Sequence, residues 1–147
     1  MSLASVFNIA GTGMSAQTTR LNTVASNIAN AETVSSSLDQ TYRARHLVFA
    51  TMFQNAQGGD SGSLFSDSDS AGAGVQVSGV VEDQSNLEAR YEPNSPAANK
   101  DGYVYYPNVN VVEEMADMIS ASRSFQTNAD IMNTAKTMMQ KVLTLGQ

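Results

Sequence analysis

Several residue types that build reactive sites are missing or scarce in this sequence. It has no cysteine, which excludes disulfides and thiolate chemistry, and its single histidine, His46, cannot form a zinc site without further ligands nearby. Lys and Arg number only 8 against 14 Asp and Glu, and the resulting net charge of -6 argues against nucleic-acid binding. No apolar run approaches the roughly 20 residues of a membrane span, and the N-terminus lacks the features of a cleaved signal peptide. We therefore expect no cofactor, no metal and no small-molecule substrate.

The sequence does contain a long heptad pattern near its C-terminus. Apolar residues recur at alternating steps of four and three, interrupted by Ser122 and Lys136: Val111, Met115, Met118, Phe125, Ala129, Met132, Met139 and Leu143. Asn110 can cap the first turn, and Gly146 follows the last apolar residue as a stop signal. The pattern predicts one uninterrupted helix over residues 110–147.

This predicted helix is too long and too apolar to be covered by its own chain. At about 1.5 Å per residue it spans roughly 50 Å, more than a module of the remaining size can cover. Further apolar residues, such as Ile119 and Leu145, flank the seam on both sides and widen the apolar arc to roughly 200°. We therefore expect several other helices to enclose it.

The first 32 residues repeat the pattern in a weaker form. The same spacing relates Leu3, Phe7, Ala10, Met14, Gln17, Leu21, Val24, Ile28 and Ala31. Gly11 and Gly13 each cost about 1 kcal/mol relative to alanine inside a helix. We therefore expect this helix to be frayed alone and ordered once its stripe is buried. The simplest arrangement pairs it with the C-terminal helix as an antiparallel hairpin.

The middle of the chain, residues 33–109, has a different composition. Stretches rich in aromatic and β-branched residues predict short strands at residues 42–53, 75–81, 87–91 and 103–106. Residues 54–74 are mainly Gly, Ser and Asp and predict an exposed, mobile acidic loop. The predicted fold class is therefore α+β. Residues 1–32 and 110–147 would form one helical domain, a coiled-coil-like stalk, and residues 33–109 a small antiparallel β module.

Two short motifs imitate binding sites. Residues 11–16 fit the dinucleotide pattern G-x-G-x-x-A, but a Rossmann unit needs a second buried strand after its helix, and residues 33–40 do not supply one. Residues 67–72 imitate the start of a calcium loop, yet Ala71 stands where a ligand is required and no helix precedes them. A packed helix and a solvated loop explain both motifs better, and we expect that the chain is not an enzyme.

Motifs at both ends resemble the paired signatures of bacterial flagellar axial proteins. The N-terminal motif is Ala25-Ser26-Asn27-Ile28-Ala29-Asn30-Ala31, and the C-terminal motif runs from Pro107 through Val111-Val112-Glu113-Glu114-Met115 to Ile119, with Phe125 and Asn128 beyond it. The segment Tyr42-Arg43-Ala44-Arg45, the ending Leu143-Thr144-Leu145-Gly146-Gln147 and the short length are most similar to the proximal-rod members of this family.

The resemblance implies a structural subunit of the flagellar basal-body rod. Such a subunit is exported without a cleaved signal by the flagellar type III apparatus. It polymerises within the periplasm into a helical drive shaft that transmits torque for motility. The implied partners are further copies of the chain, other proximal and distal rod proteins, the rod-base adaptor that joins the export gate to the MS ring, and the export apparatus.

We expect the terminal helices to supply the assembly interface, with three asparagines that hydrogen-bond across helices and fix their register. The candidate residues are Phe7, Met14, Leu21, Val24, Asn27, Ile28, Asn30, Met115, Met118, Ile119, Phe125, Asn128, Met132, Met139, Leu143 and Leu145. A coiled-coil adaptor or export-apparatus chaperone remains an alternative. It would share the heptads but stay a soluble dimer or heterodimer of fixed size.

Overall fold

A computed structural model describes residues 3–53 and 72–145, which form two long helices and four strands. In chain order these are α1 Leu3–Asn30, β1 Arg45–Phe53, β2 Gly72–Glu82, β3 Glu88–Tyr91, β4 Tyr103–Tyr106 and α2 Val111–Leu145. The predicted α+β class is confirmed, and each predicted strand is present. The predicted acidic loop ends earlier than expected, because residues 72–74 belong to β2; its other residues, 54–71, and the stop signal Gly146 lie outside the described residues.

The two helices pack side by side in opposite directions. Near the end of α1, Asn27 hydrogen-bonds to Glu114 at the start of α2, and further back along α1 the side chain of Asn128 lies against Gly13. The step from Asn27 back to Gly13 is fourteen residues, and so is the step from Glu114 on to Asn128. Each turn of α1 is therefore matched by one turn of α2, as in the expected antiparallel hairpin.

The contact line between the helices differs from the predicted apolar seam. The buried residues of α2 are Glu114, Ala121 and Ala135, which lie one position away from the seam that contains Met115 and Ser122. On α1 the buried residues are Ala10, Ala16, Val24 and Asn27. Small side chains let two helix backbones approach closely, so this line became the contact and several larger apolar side chains stayed outside it.

A hairpin of β1 and β2 lies along α1. The strands pair antiparallel from Arg45 opposite Glu82 to Phe53 opposite Gly72, with a register shift after Val48. One end of the hairpin contacts α1 at Thr12, where the backbone N–H of Val75 donates to the threonine hydroxyl. The other end contacts α1 at Asn27, which bonds to the backbone of Arg45. Within one chain, α1 is therefore supported by both α2 and this hairpin.

The strands β3 and β4 form a second, separate two-stranded sheet. Ser35 extends it by a short bridge, because its backbone exchanges hydrogen bonds with that of Tyr105. The single β module expected from the sequence is thus two small antiparallel sheets. Between them, the carbonyl groups of Asp83 and Ser85 accept hydrogen bonds from the Arg43 side chain, and the backbone N–H of Asp83 donates to the carbonyl of Ala44.

Candidate assembly interface

Asn27 is the centre of a buried junction between three parts of the chain. Its side chain is fully buried and uses all of its hydrogen-bonding capacity. The amide Nδ2 donates to Glu114 Oε1 at 2.8 Å and to the carbonyl of Arg45 at 2.9 Å. The amide Oδ1 accepts from the Tyr42 hydroxyl at 2.8 Å and from the backbone N–H of Arg45 at 3.0 Å. This junction joins the end of α1, the beginning of β1 and the beginning of α2.

The partners of Asn27 are themselves held in place. Glu114 is only 6% exposed, although it lies in the first turn of a helix. The Tyr42 hydroxyl is also within 3.3 Å of Ser26 Oγ, and the Arg45 guanidinium lies over the Tyr42 ring. The sequence led us to expect a cross-helix bond from Asn27, which the structure contains. Its partners were missed, because an acid at a helix start is ordinarily explained by the helix dipole.

A second asparagine, Asn108, ties the segment entering α2 to the base of the β1–β2 hairpin. Its Oδ1 accepts from the backbone N–H of Ala44 at 2.8 Å, and its Nδ2 donates to Ser85 Oγ at 2.8 Å and to the Asp83 carbonyl at 3.2 Å. Asn108 belongs to the C-terminal motif, but periodicity gives no weight to a polar residue outside a helix. Together Asn27 and Asn108 fix where the two helices leave and enter the β region.

The other two asparagines predicted to bond across helices behave differently. The Asn30 side chain donates to the carbonyl of Ser26 on its own helix at 2.8 Å. Asn128 is half-buried and packs against α1 at Gly13, where an added Cβ atom would lie 2.9 Å from Asn128 Nδ2. Of the three, Asn27 and Asn128 therefore contact the opposite helix within this chain.

The remaining candidate interface residues divide by exposure. Val24 is buried. Half-buried residues are Phe7, Met14, Leu21, Ile28, Met118, Met132 and Met139. The exposed residues are Met115, Ile119, Phe125 and Leu143, and the side chain of Leu145 lies outside the described residues. Four further large apolar residues of α2, absent from the candidate set, are also exposed: Val112 at 77%, Val142 at 63%, Met138 at 56% and Ile131 at 42%. The outer surface of α2 thus carries many apolar side chains.

Charged groups add little to the cohesion of the chain. Arg20 forms a 2.9 Å ion pair with Asp117 across the two helices, but the Asp117 side chain is about half exposed. On the β surface, a hydrogen bond from Arg90 lowers the pKa of Glu88, and the backbone N–H of Ser85 lowers the pKa of Asp83. Water screens exposed charged contacts of this kind, so they add little to folding stability.

The structure explains the two motifs that imitate binding sites, as far as their residues are described. Residues 11–16 lie within α1, as the interpretation of a packed helix predicts, and no strand-to-helix turn is there to hold a phosphate. The calcium-like segment lies outside the described residues except for Gly72, which begins β2. His46 is exposed on β1. Neither helix, over its described length, is apolar and long enough to cross a membrane.

Comparison with known proteins agrees with both terminal motifs. Residues 7–34 match the family described as flagella basal body rod protein, and residues 100–145 match the C-terminal family of the flagellar basal body rod FlgEFG proteins. The chain is 45% identical to the flagellar basal-body rod protein FlgC of Salmonella typhimurium and 46% identical to that of Escherichia coli O6:H1, over 100% of each sequence.

A more distant relative, the FlgC protein of Borreliella burgdorferi, is 37% identical over 100% of this chain and 99% of its own. These similarities extend through the β region, which the two terminal motifs do not reach. They confirm the expectation that the chain is not an enzyme, since the relatives are structural rod proteins. The chain belongs to the FlgC family of flagellar basal-body rod proteins.

Proposed function

We propose that this rod protein is a subunit of the proximal rod and that it polymerises through the outer surface of its terminal helices. The observation that carries the proposal is the row of apolar side chains on α2 that α1 leaves uncovered. Val112, Met115 and Ile119 are each more than half exposed on the first turns of α2. A monomeric protein rarely leaves so many large apolar side chains in water, whereas an assembling subunit buries them against its neighbours.

The far end of α2 supports the same proposal. The antiparallel register places Met138 level with Leu3, so the last turns of α2 extend past the start of α1 by about 10 Å. Val142 and Leu143 on these turns are highly exposed. Contacts that one molecule makes with a different surface of the next build a helical rod when the rotation between neighbours does not close into a ring.

In this proposal residues 1–32 and 110–147 form one helical domain, a coiled-coil-like stalk, and residues 33–109 contact neighbouring subunits. Close packing of stiff helices, rather than a reactive site, suits a shaft that transmits torque. Its neighbours would be copies of itself, the other proximal and distal rod proteins, and the rod-base adaptor. The subunit would reach the periplasm through the type III export apparatus without cleavage of a signal peptide.

The substitution Ile119→Asp tests this proposal. Ile119 is 56% exposed, so the change should leave the monomer folded but place a charge in the buried interface of the rod. We expect the variant to be absent from purified basal bodies and the cells to be non-motile. The matched control is Ser120→Asp, an exposed neighbour on the same helix.

Two outcomes would contradict the proposal. One is normal incorporation and motility of the Ile119→Asp variant. The other is a purified wild-type protein that forms only a soluble dimer or heterodimer of fixed size, which would favour the adaptor or chaperone. Circular dichroism of both variants establishes that neither substitution unfolds the monomer.

A further inference from the structure

The helix α1 contains little that stabilises it alone. Gly11 and Gly13 interrupt its first half, and the hydroxyls of Thr18, Thr19 and Thr23 bond to carbonyl groups one turn earlier. Glycine and threonine are poor helix formers, and such threonine bonds bend helices slightly. The order of α1 must therefore come from what it packs against.

We infer that the β1–β2 hairpin holds residues 12–27 of α1 in helical form before any neighbouring subunit is present. This inference deepens the proposed function, on which it rests for its biological meaning. Under this inference, the central part of each subunit is already ordered in the monomer, whereas the helix ends become fully ordered when they pack against neighbouring subunits. The evidence is a pair of contacts between hairpin and helix, one at each end of this segment.

The first contact is at Thr12. Its hydroxyl donates to the carbonyl of Ile9 at 2.9 Å and accepts from the N–H of Val75 at 3.3 Å, so one side chain links the helix to β2. Gly74 precedes Val75, is buried and has a φ of +150°. A Cβ atom added there would collide with the Thr12 hydroxyl oxygen, so only glycine allows this approach.

The second contact is at Asn27, where both backbone groups of Arg45 at the start of β1 bond to the asparagine side chain. Thr12 and Asn27 are fifteen residues apart, about 22 Å along a helix, and β2 between Gly74 and Glu82 has a similar length. The hairpin is therefore fixed to α1 at two points about four turns apart. It restrains the helix between them regardless of what packs on α2.

Hydrogen exchange of the full-length protein, at a dilution where light scattering reports a monomer, tests the inference. We expect amides between residues 16 and 27 to be protected in the wild type. Gly74→Ala should raise their exchange rates by at least about tenfold, since the strand must move away from Thr12. Gly79→Ala is the matched control in the same strand, because a Cβ atom there would meet nothing within 4 Å.

A second pair of variants guards against unfolding by Gly74→Ala. Thr12→Val keeps the shape of the side chain, loses the bond to Val75 and should raise exchange in the same amides by about three- to tenfold. Thr12→Ser keeps a hydroxyl and should restore most of the protection. Thr18→Val, which removes only a bond within α1, is the control.

Equal exchange in all these variants, or an unprotected α1 in the wild-type monomer, would overturn the inference. This experiment involves no assembly, so its result is independent of the incorporation test with Ile119→Asp. Protection that depends on Thr12, together with normal incorporation of Ile119→Asp, would retain the inference and reject the proposed interface.

Discussion

The Asn27 side chain hydrogen-bonds to Glu114, Arg45 and Tyr42 and so links α1 to the starts of α2 and β1. Asn27 is one of two residues in the described core whose large side chains are fully buried; the other is Val104 on β4. A buried amide with four partners contributes only moderately when intact, but its removal leaves several polar groups without partners. The junction therefore determines how α1, β1 and α2 are arranged, and it contributes only moderately to the free energy of unfolding.

We predict that Asn27→Ala lowers the free energy of unfolding by about 2 to 4 kcal/mol, because it leaves the buried Glu114 carboxylate and the partly buried backbone groups of Arg45 without these partners. The matched control, Asn30→Ala, removes only a bond within α1 and should change it by less than about 1 kcal/mol. Urea titration followed by circular dichroism measures both. Equal effects of the two variants would show that the junction has no special role.

The sequence supplied part of this picture at the residue scale. The motif around Asn27 indicated a cross-helix role, which the bond to Glu114 agrees with. Tyr42 could not be identified as a partner, since it lies outside the helices and only the folded chain brings it beside Asn27. Contacts between distant segments carry no periodicity that a single sequence can reveal.

The helices are the elements that the sequence predicted best. The expected spans 1–32 and 110–147 agree with α1 Leu3–Asn30 and α2 Val111–Leu145 to within a few residues. Their contact line was predicted less well. A heptad search weighs large apolar residues, whereas the line uses Gly13, Ala121 and Ala135, whose small size is what permits close packing.

Gly11 and Gly13 give a matched test of this packing. Gly11→Ala should stabilise the chain by up to about 1 kcal/mol through helix propensity, because its nearest neighbour, the Met132 Cε atom, is 4.0 Å from the added Cβ. Gly13→Ala should give no such gain, since its Cβ would lie 2.9 Å from Asn128 Nδ2.

The double variant Gly13→Ala with Asn128→Ala completes the test, with urea titration as the measurement. In the Asn128→Ala background the clash with the added Cβ is absent. There, Gly13→Ala should raise the free energy of unfolding by the helix-propensity gain that it does not give in the wild-type background. An equal gain from Gly11→Ala and Gly13→Ala in the wild-type background would contradict close packing at Gly13.

At the scale of the whole molecule, polar contacts and small apolar residues lie between the two helices, and many larger apolar side chains lie outside the pair. Arg20, Asn27, Glu114 and Asp117 face the partner helix, while Met115, Ile119 and Val142 face away. This arrangement agrees with a subunit whose larger apolar burial occurs between molecules.

The exposed end of α2 provides a prediction at this scale. A double substitution of Val142 and Leu143 by Glu should leave the unfolding midpoint of the monomer unchanged, because both side chains are already in water. The same variant should fail to enter the rod. Thr144→Glu, at an exposed position beside them, should be incorporated. Recovery of the double variant in purified basal bodies at the wild-type level would count against a role for this end.

The polar contacts between α1 and α2 also determine how the pair responds to a force along its axis. Sliding one helix past the other by a heptad would carry the long side chain of Arg20 towards the narrow space that Gly13 leaves for Asn128. The same slip would break the bond from Asn27 to Glu114 and place Ala121, which has no side-chain acceptor, opposite Asn27. The two helices therefore resist sliding past each other, because a shift of one heptad from the observed register loses these contacts.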